Sequence, residues 1–199
     1  MENFINTHVV SYKANNETIE KSNFVEKYPN FDFIYDLIAS YGGFVFDEGL
    51  FKIHTFEYLE KWTNLITCNY FKNELKDEEL ICFASNWQGC MYCIDSKNNS
   101  IIYFDPATCD FFKADGITLN LFFDNILVDG EYDIISEEYF KEAFSYLKSD
   151  RLEYGDSFGH KIYLHLGGED QPENYEIVNT EVLWGLQIQL SDRINEIPS

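Results

Sequence analysis

Basic residues are scarce in this chain. Of its 199 residues, 14 are Lys or Arg and 35 are Asp or Glu, which gives a formal net charge of -21. Nucleic acids and anionic membranes are both bound through basic surfaces, so direct binding to either is not expected. An excess of one charge sign speeds encounter with the opposite sign, and a basic protein is the partner that this composition favours. The alternative is that the negative charge has no binding role, since many soluble proteins are acidic.

Long apolar runs are also missing. No stretch approaches the roughly 18 apolar residues of a membrane span, and the opening "MENFINTHVV" lacks the basic and apolar regions of a signal peptide. We therefore expect a cytoplasmic protein. Its five cysteines are an odd number, which favours reduced thiols over a disulfide framework. The content of 45% hydrophobic and 18% aromatic residues is too high for a disordered acidic chain and predicts a folded one.

The hydrophobic pattern predicts helices at both ends of the chain and a sheet in the middle. Apolar spacing from Ile34 to Tyr41 predicts a helix that stops at Gly42 and Gly43, followed by two extended segments with a turn at Gly49. Further helices are predicted for "FEYLEKWTNLI" capped by Thr55, "ITLNLFFDNIL", "SEEYFKEAFSYL" capped by Ser136, and "TEVLWGLQIQLSDRI" capped near Thr180. The segments "ELICFASN", "CMYCID" and "SIIYFDP" are typical of an antiparallel meander, and "HKIYLHLG" alternates like another strand.

This order predicts an α+β fold, with a mixed, mainly antiparallel sheet flanked by helices. We expect two closely packed subdomains, residues 1–115 and 116–199, because the pattern returns to helices after residue 115 and no flexible linker separates the parts.

Catalytic motifs are not evident. The sequence contains no H-E-x-x-H, G-x-S-x-G or G-x-x-x-x-G-K. Cys90 and Cys93 fall inside a predicted strand, which would direct their thiols to opposite faces and disfavours a redox pair. A zinc site would need a second pair; Cys82 and Cys109 are available, but no paired histidine lies near them. Buried reduced cysteines are the prediction.

Two histidines near the C-terminus suggest an alternative. His160 and His165, with Glu169 and Asp170, would supply imidazole and carboxylate ligands for a metal-assisted hydrolase. Five residues apart on a strand, however, the two rings point to opposite faces. Carboxylate pairs in "GGEDQPE" and "FDEG" could serve acid–base chemistry, but such pairs arise from composition alone in so acidic a chain. No catalytic residue, cofactor or metal is therefore predicted.

Two acidic stretches are the more informative feature. Residues 124–138 carry six carboxylates and no basic residue, and residues 162–192 contain no Lys or Arg. They predict either a partner-binding surface of one sign or merely the solvated faces of amphipathic elements. If they form a contact surface, its residues are predicted to be Asp129, Glu131, Asp133, Glu169, Asp170, Glu173 and Glu176.

Several of these segments resemble known families. "SYGGFVFDEGLFKIHTFEYLEKW", "ICFASNWQGCMYCID" and "IIYFDP" are similar to the GAD-related domain, with Glu48 where that domain's "DGL" turn has Asp. The stretch "KIYLHLGGEDQPENYEIVNTEVLWGLQIQL" resembles the C-terminal domain of type VI secretion immunity proteins, in which a strand runs into "LGG", a polar loop and a closing helix.

The resemblance implies a bacterial, non-enzymatic immunity protein that binds and neutralises a cognate secreted toxin. The implied toxin is a nuclease with a basic nucleic-acid-binding surface, which an acidic inhibitor could cover. In this view residues 1–115 form a GAD-like domain and residues 116–199 the immunity-protein domain. The metal-assisted hydrolase and a general regulatory scaffold that binds several proteins stay open as alternatives.

Overall fold

A computed structural model describes residues 1–71, 75, 78–98, 100–129 and 134–195 of the chain. Its main element is a seven-stranded antiparallel sheet in which the strands follow one another in chain order. The strands are β1 (Val10–Lys13), β2 (Phe44–Phe46), β3 (Phe51–Ile53), β4 (Leu80–Asn86), β5 (Met91–Asp95), β6 (Ser100–Asp105) and β7 (Asp110–Asp115). A separate hairpin pairs β8 (Asp156–His160) with β9 (Tyr175–Asn179). With the helices around both sheets, this confirms the predicted α+β class.

The helices precede, interrupt and follow the large sheet. They are α1 (Glu2–Thr7), α2 (Lys21–Lys27), α3 (Asp32–Tyr41), α4 (Phe56–Asn64), α5 (Leu119–Leu121), α6 (Leu127–Asp129), α7 (Glu137–Leu147) and α8 (Thr180–Asn195). π-helical segments extend α4 (Leu65–Tyr70) and join α5 to α6 (Phe122–Ile126). As predicted, α3 ends before Gly42, and the Thr55 hydroxyl caps α4 by accepting a hydrogen bond from the backbone N–H of Tyr58 at 3.2 Å.

The central strands are buried on both faces, because helices cover each side of the sheet. Along β4, Ile81 and Phe83 belong to one hydrophobic cluster, and Leu80 and Cys82 belong to another. The first cluster also contains side chains from α1, α3, α7 and the β8–β9 hairpin, while the second includes Trp184 of α8. The first cluster thus joins side chains from both sides of the predicted boundary at residue 115. The boundary itself stays a prediction.

The C-terminal hairpin differs from what the sequence pattern predicted. The stretch "HKIYLHLG" was expected to be a strand, but β8 ends at His160, and Leu164–Leu166 form a 3-10 turn. The alternating apolar residues of this stretch do not form the buried face of a strand. Ile162 and Leu166 are exposed, and the backbone here does not join a sheet. The partner strand β9 was not predicted, since it lies within the acidic stretch that resembled a loop. The helix that follows is capped by Asn179, next to Thr180, where the sequence predicted a cap. The Asn179 Oδ1 accepts from the backbone N–H groups of Glu181 and Val182.

The cysteines correct a second expectation. Cys82 and Cys93 lie opposite each other on β4 and β5, with Cα atoms 4.1 Å apart, and form a disulfide. The prediction that all cysteines are reduced was therefore wrong for this pair, because spacing along the chain does not show which strand positions face one another. Cys90 and Cys93 lie on opposite sides of the sheet, as expected. The Cys90 thiol accepts a hydrogen bond at 2.9 Å from the hydroxyl of Tyr103, which packs against the first cluster, whereas Cys93 belongs to the second.

Within the part of the chain that the structure describes, no helix combines the length and apolar character that crossing a membrane requires. The cytoplasmic location stays a prediction.

Candidate functional site

The acidic loop, residues 161–176, joins β8 to β9 and includes the first two residues of β9. It holds four of the seven carboxylates predicted to contact a partner: Glu169, Asp170, Glu173 and Glu176. Of the other three, Asp129 is the last residue of α6, and Glu131 and Asp133 lie outside the described residues. The geometry of a candidate contact site can therefore be followed only on the acidic loop.

The Asn174 side chain holds the loop in one conformation. Its Oδ1 accepts a hydrogen bond from the backbone N–H of Ile162 at 2.9 Å, and its Nδ2 donates to the carbonyl oxygens of Ile162 at 2.8 Å and Glu169 at 2.9 Å. The backbone carbonyl of Asn174 also accepts from the N–H of Lys161 at 2.7 Å. One side chain thus supplies the hydrogen bonds that a neighbouring strand would otherwise provide.

The two glycines that open the acidic stretch are required by the path of the backbone. Gly167 has φ of 85°, a left-handed conformation that glycine adopts without a steric penalty. At Gly168 a Cβ atom would lie 1.8 Å from the carbonyl oxygen of Ile162. The backbone therefore approaches itself too closely for any side chain. These glycines shape the loop, and no phosphate-binding role is needed to explain them.

Unlike its acidic neighbours, the exposed Asp170 side chain forms hydrogen bonds with other residues of the protein. Its Oδ1 accepts hydrogen bonds from the Tyr175 hydroxyl at 2.5 Å and pairs with His160 Nε2 at 3.0 Å. Gln88 Nε2 donates to the Tyr175 hydroxyl at 3.1 Å, and the Tyr139 hydroxyl donates to the backbone carbonyl of Asp170. Burial is the main cause that raises the pKa of Tyr175, with Asp170 contributing in the same direction, so this hydroxyl remains a hydrogen-bond donor at neutral pH. Asp170 therefore positions the loop on β9 and α7.

The two histidines of the hydrolase alternative occupy different environments. His160 is buried and packs against the Tyr175 ring at 4.7 Å between centroids, while His165 is exposed on the Leu164–Leu166 turn. In the described residues no hydrogen bond or ring contact joins them. Across the same residues, no group of three or more His, Cys, Asp or Glu side chains is arranged to hold a metal ion.

The remaining carboxylates of the loop face solvent without partners. Glu169, Glu173 and Glu176 are all exposed, and their side chains form no hydrogen bond or ion pair with any described residue. The only cation of the loop, Lys161, donates its Nζ to the backbone carbonyl of Glu173 at 2.8 Å rather than to a carboxylate. Three charges of one sign are thus displayed on a fixed scaffold.

The surface beside these carboxylates is concave and partly apolar. An open depression of about 720 Å³ is lined by Glu169, Glu173, Lys161 and the exposed side chain of Ile162, among others. Ile162 is 57% exposed and Leu166 62% exposed. Apolar side chains next to charged ones are typical of protein contact surfaces, so the arrangement suits a protein partner.

The chain is similar to a known protein in its fold, but no sequence comparison found a relative. No family model and no curated protein sequence matches the chain. Its structure is similar to the crystal structure of Atu4351 from Agrobacterium tumefaciens, with a TM-score of 0.65 and 16% sequence identity over 94% of this chain and 88% of that one. Nearly the whole chain therefore has the same overall fold as a known structure.

Proposed function

We propose that this chain is a non-enzymatic immunity protein that binds a cognate secreted toxin, and that the acidic loop contacts a basic surface of that toxin. The observation that carries the proposal is the group of Glu169, Glu173 and Glu176, which are exposed and unpaired on a loop fixed by Asn174 and Asp170. The resemblance to type VI secretion immunity proteins supplies the class of partner, and a nuclease is the toxin proposed.

Rigidity favours binding in this arrangement. A flexible acidic segment would lose conformational entropy when it docks, whereas a loop already held by side-chain hydrogen bonds loses little. A nuclease holds a polyanion and so presents basic groups, which the three glutamates would approach as the phosphates do. Attraction between the net charge of -21 and such a surface would also raise the association rate.

The proposal assigns different roles to the acidic residues. Glu169, Glu173 and Glu176 contact the partner, while Asp170, committed to Tyr175 and His160, holds the loop in position. Asp129, Glu131 and Asp133 stay predicted contacts on the sequence evidence. The structure offers no comparable observation in favour of the hydrolase, so no second function is proposed.

The test compares two triple variants of equal charge change. In the loop variant Glu169→Gln, Glu173→Gln and Glu176→Gln are combined; in the control Glu17→Gln, Glu20→Gln and Glu26→Gln are combined, all exposed and in the N-terminal part of the chain. Binding to the toxin-domain protein encoded beside this gene would be followed by surface plasmon resonance at low and physiological ionic strength.

We expect the loop variant to associate about ten-fold more slowly at low salt and to lose most of its salt dependence. At physiological ionic strength the control should stay within about two-fold of the unmodified chain, because exposed charges more than about 8 Å from the partner are screened. Equal effects of the two variants would show that only net charge matters and would refute the assignment to the loop. A neighbouring protein that does not bind at all would contradict the proposed function.

A further inference from the structure

A second open cavity lies on the other side of α7 from the acidic loop. It has a volume of about 630 Å³ and is formed where the end of α1 and the turn after β2 meet α7. Among its lining residues are His8, Asp47, Glu48, Leu50, Glu137 and Phe140. We refer to it as the His8 cavity. None of these residues takes part in the acidic loop.

One ring nitrogen of His8, a lining residue of this cavity, is hydrogen-bonded, and the other has no hydrogen bond in the described part of the chain. Its Nδ1 lies 2.5 Å from Asp47 Oδ2, while the other carboxylate oxygen accepts from the backbone N–H of Val9 at 2.9 Å. An ionised carboxylate only accepts hydrogen bonds, so Nδ1 carries the proton of this pair. The side chain is only 5% exposed. Its Nε2 nevertheless forms no hydrogen bond with a described residue and is not among the enclosed polar atoms without a partner, so this nitrogen has some accessible surface on a residue that lines the cavity.

The turn that presents the carboxylates has an unusual backbone. Asp47 and Glu48 have φ of 45° and 58°, left-handed values that residues with a Cβ adopt at an energetic cost. Hydrogen bonds hold the turn there: Ser11 Oγ accepts from the N–H of Glu48 at 2.7 Å, and the carbonyl of Glu48 accepts from the N–H of Leu152 at 2.8 Å. The Glu48 side chain is exposed and has no partner in the described residues.

The lining favours a cation with an apolar stem. Asp47, Glu48 and Glu137 carry negative charge at the cavity, and the one ammonium group among its described lining residues, that of Lys141, is paired with Glu137 at 2.5 Å. Leu50 and the Phe140 ring supply apolar walls. In a neutral imidazole whose Nδ1 carries the proton, Nε2 accepts a hydrogen bond. A guanidinium group offers several N–H donors to Nε2 and the carboxylates, while its methylene stem packs on the walls.

We propose that the His8 cavity binds an arginine side chain of the protein partner. The proposal rests on the proposed function, and α7 explains how one partner could reach both places. The Tyr139 hydroxyl on α7 donates to the backbone of Asp170 in the acidic loop, while Phe140 and Glu137 of the same helix line the cavity. A partner that covers α7 would therefore place basic groups on the loop and in the cavity together.

The cavity can be tested in the full chain without the partner. The probes are acetyl-glycyl-arginyl-glycine amide and the same peptide with citrulline, which keeps the shape of arginine without its charge. Titration would be followed by ¹⁵N NMR of the histidine rings. We expect the arginine peptide to shift His8 Nε2 in a saturable manner and the citrulline peptide to leave it unchanged. No shift with the arginine peptide, or equal shifts with both, would overturn the proposal.

A variant of the least constrained carboxylate refines the test. Glu48→Gln keeps the size of the side chain, and we expect it to raise the Kd of the arginine peptide about five-fold, as loss of a charge-assisted hydrogen bond at a partly exposed site implies. Glu26→Gln, at an exposed position of α2, is the matched control and should change the Kd little. Equal Kd values for the two variants would refute the role of Glu48.

The same variant separates this proposal from the function of the loop. Glu48→Gln should also weaken binding of the toxin; peptide binding that depends on Glu48 without such weakening would show that the cavity does not serve the partner. If the loop variant weakens toxin binding but the arginine peptide does not bind, only the cavity proposal fails. If the peptide binds and the chain does not bind the toxin, the proposed function fails.

Discussion

The side chain of Asn174 pairs with both polar backbone groups of Ile162, its Oδ1 lying 2.9 Å from the N–H and its Nδ2 2.8 Å from the carbonyl oxygen. The two residues are twelve apart in the chain, at either end of the acidic loop. The bond pair resembles one rung of a sheet, made by a side chain in place of a strand. The positions of Glu169 and Glu173, which lie between these two residues, depend on this bond pair.

Asn174→Ala should loosen the loop while leaving the rest of the fold intact. It removes three hydrogen bonds near the surface, and we expect a loss of about 1–2 kcal/mol in the free energy of unfolding, measured by urea denaturation. Hydrogen exchange at the Ile162 amide should accelerate. Asn15→Ala is the control, because Asn15 is exposed and its side chain forms no hydrogen bond with a described residue. Unchanged exchange at Ile162 would contradict the role given to Asn174.

Two glycines are expected to respond in opposite ways to the same substitution. Gly168→Ala places a Cβ against the carbonyl of Ile162, so the backbone must move, at a cost of about 1–3 kcal/mol. Gly185 lies inside α8, and a Cβ atom at this position would have no neighbouring atom within 4 Å outside the local helix backbone. Gly185→Ala should therefore stabilise the protein by about 0.5–1 kcal/mol, because alanine favours the helix. Thermal denaturation of both variants checks the prediction, and loss of stability in both would show that the space around Gly185 is misjudged.

The elements that the sequence predicted correctly are those determined by local interactions. The α3 helix with its glycine stop, the Thr55 cap and strands β4 to β6 follow from periodicity and short-range chemistry. The pairing of β8 with β9 could not be predicted, because the acidic composition of β9 concealed Tyr175, which is buried against Trp87 at 5.5 Å. That pairing is a contact between distant segments, which no local pattern encodes.

The predicted contact residues stay a prediction, and the sequence did not show how they are held. Asp170 was predicted as a contact like its neighbours; its side chain is exposed, but it also forms hydrogen bonds to Tyr175 and His160 that no local pattern indicated. The pairing of His8 with Asp47, 39 residues apart, was missed altogether. The sequence predicted a turn at Gly49, but it did not indicate that Asp47 and Glu48 adopt left-handed conformations there.

The three free cysteines are expected to react at different rates. Cys68 is exposed and should react first with Ellman's reagent, whereas burial raises the pKa of Cys109 to about 11 and that of the buried Cys90 well above its usual range. A thiol reacts as the thiolate, so these two should be slow. In denaturant without reductant, three thiols should titrate, and all five only after reduction. Five thiols before reduction would contradict the pairing of Cys82 with Cys93.

Lys52 is expected to make stability depend on pH. Its Nζ is buried under the chain segment after α7 and donates hydrogen bonds to the backbone carbonyls of Glu153, at 3.0 Å, and Asp156. Burial lowers the pKa of Lys52 from 10.5 to about 7, although the charge of Asp156 acts in the opposite direction. Between these two values the unfolded chain holds a proton at this lysine that the folded chain has released.

It follows that the contribution of Lys52 to stability rises with pH. Below pH 7 the folded chain must bury the charged form; above it, unfolding takes up a proton, and the free energy of unfolding increases by at most about 1.4 kcal/mol per pH unit. Lys52→Met removes the proton uptake by Lys52 on unfolding and so its pH-dependent contribution to stability. The free energy of unfolding of the unmodified chain minus that of Lys52→Met should therefore increase from about pH 7 to pH 9, measured by urea denaturation. Comparison with the variant cancels the titration of Cys90 and the tyrosines. Lys13→Met, at an exposed position, should show a constant difference, and a constant difference for Lys52→Met as well would mean that Lys52 stays charged in the folded protein.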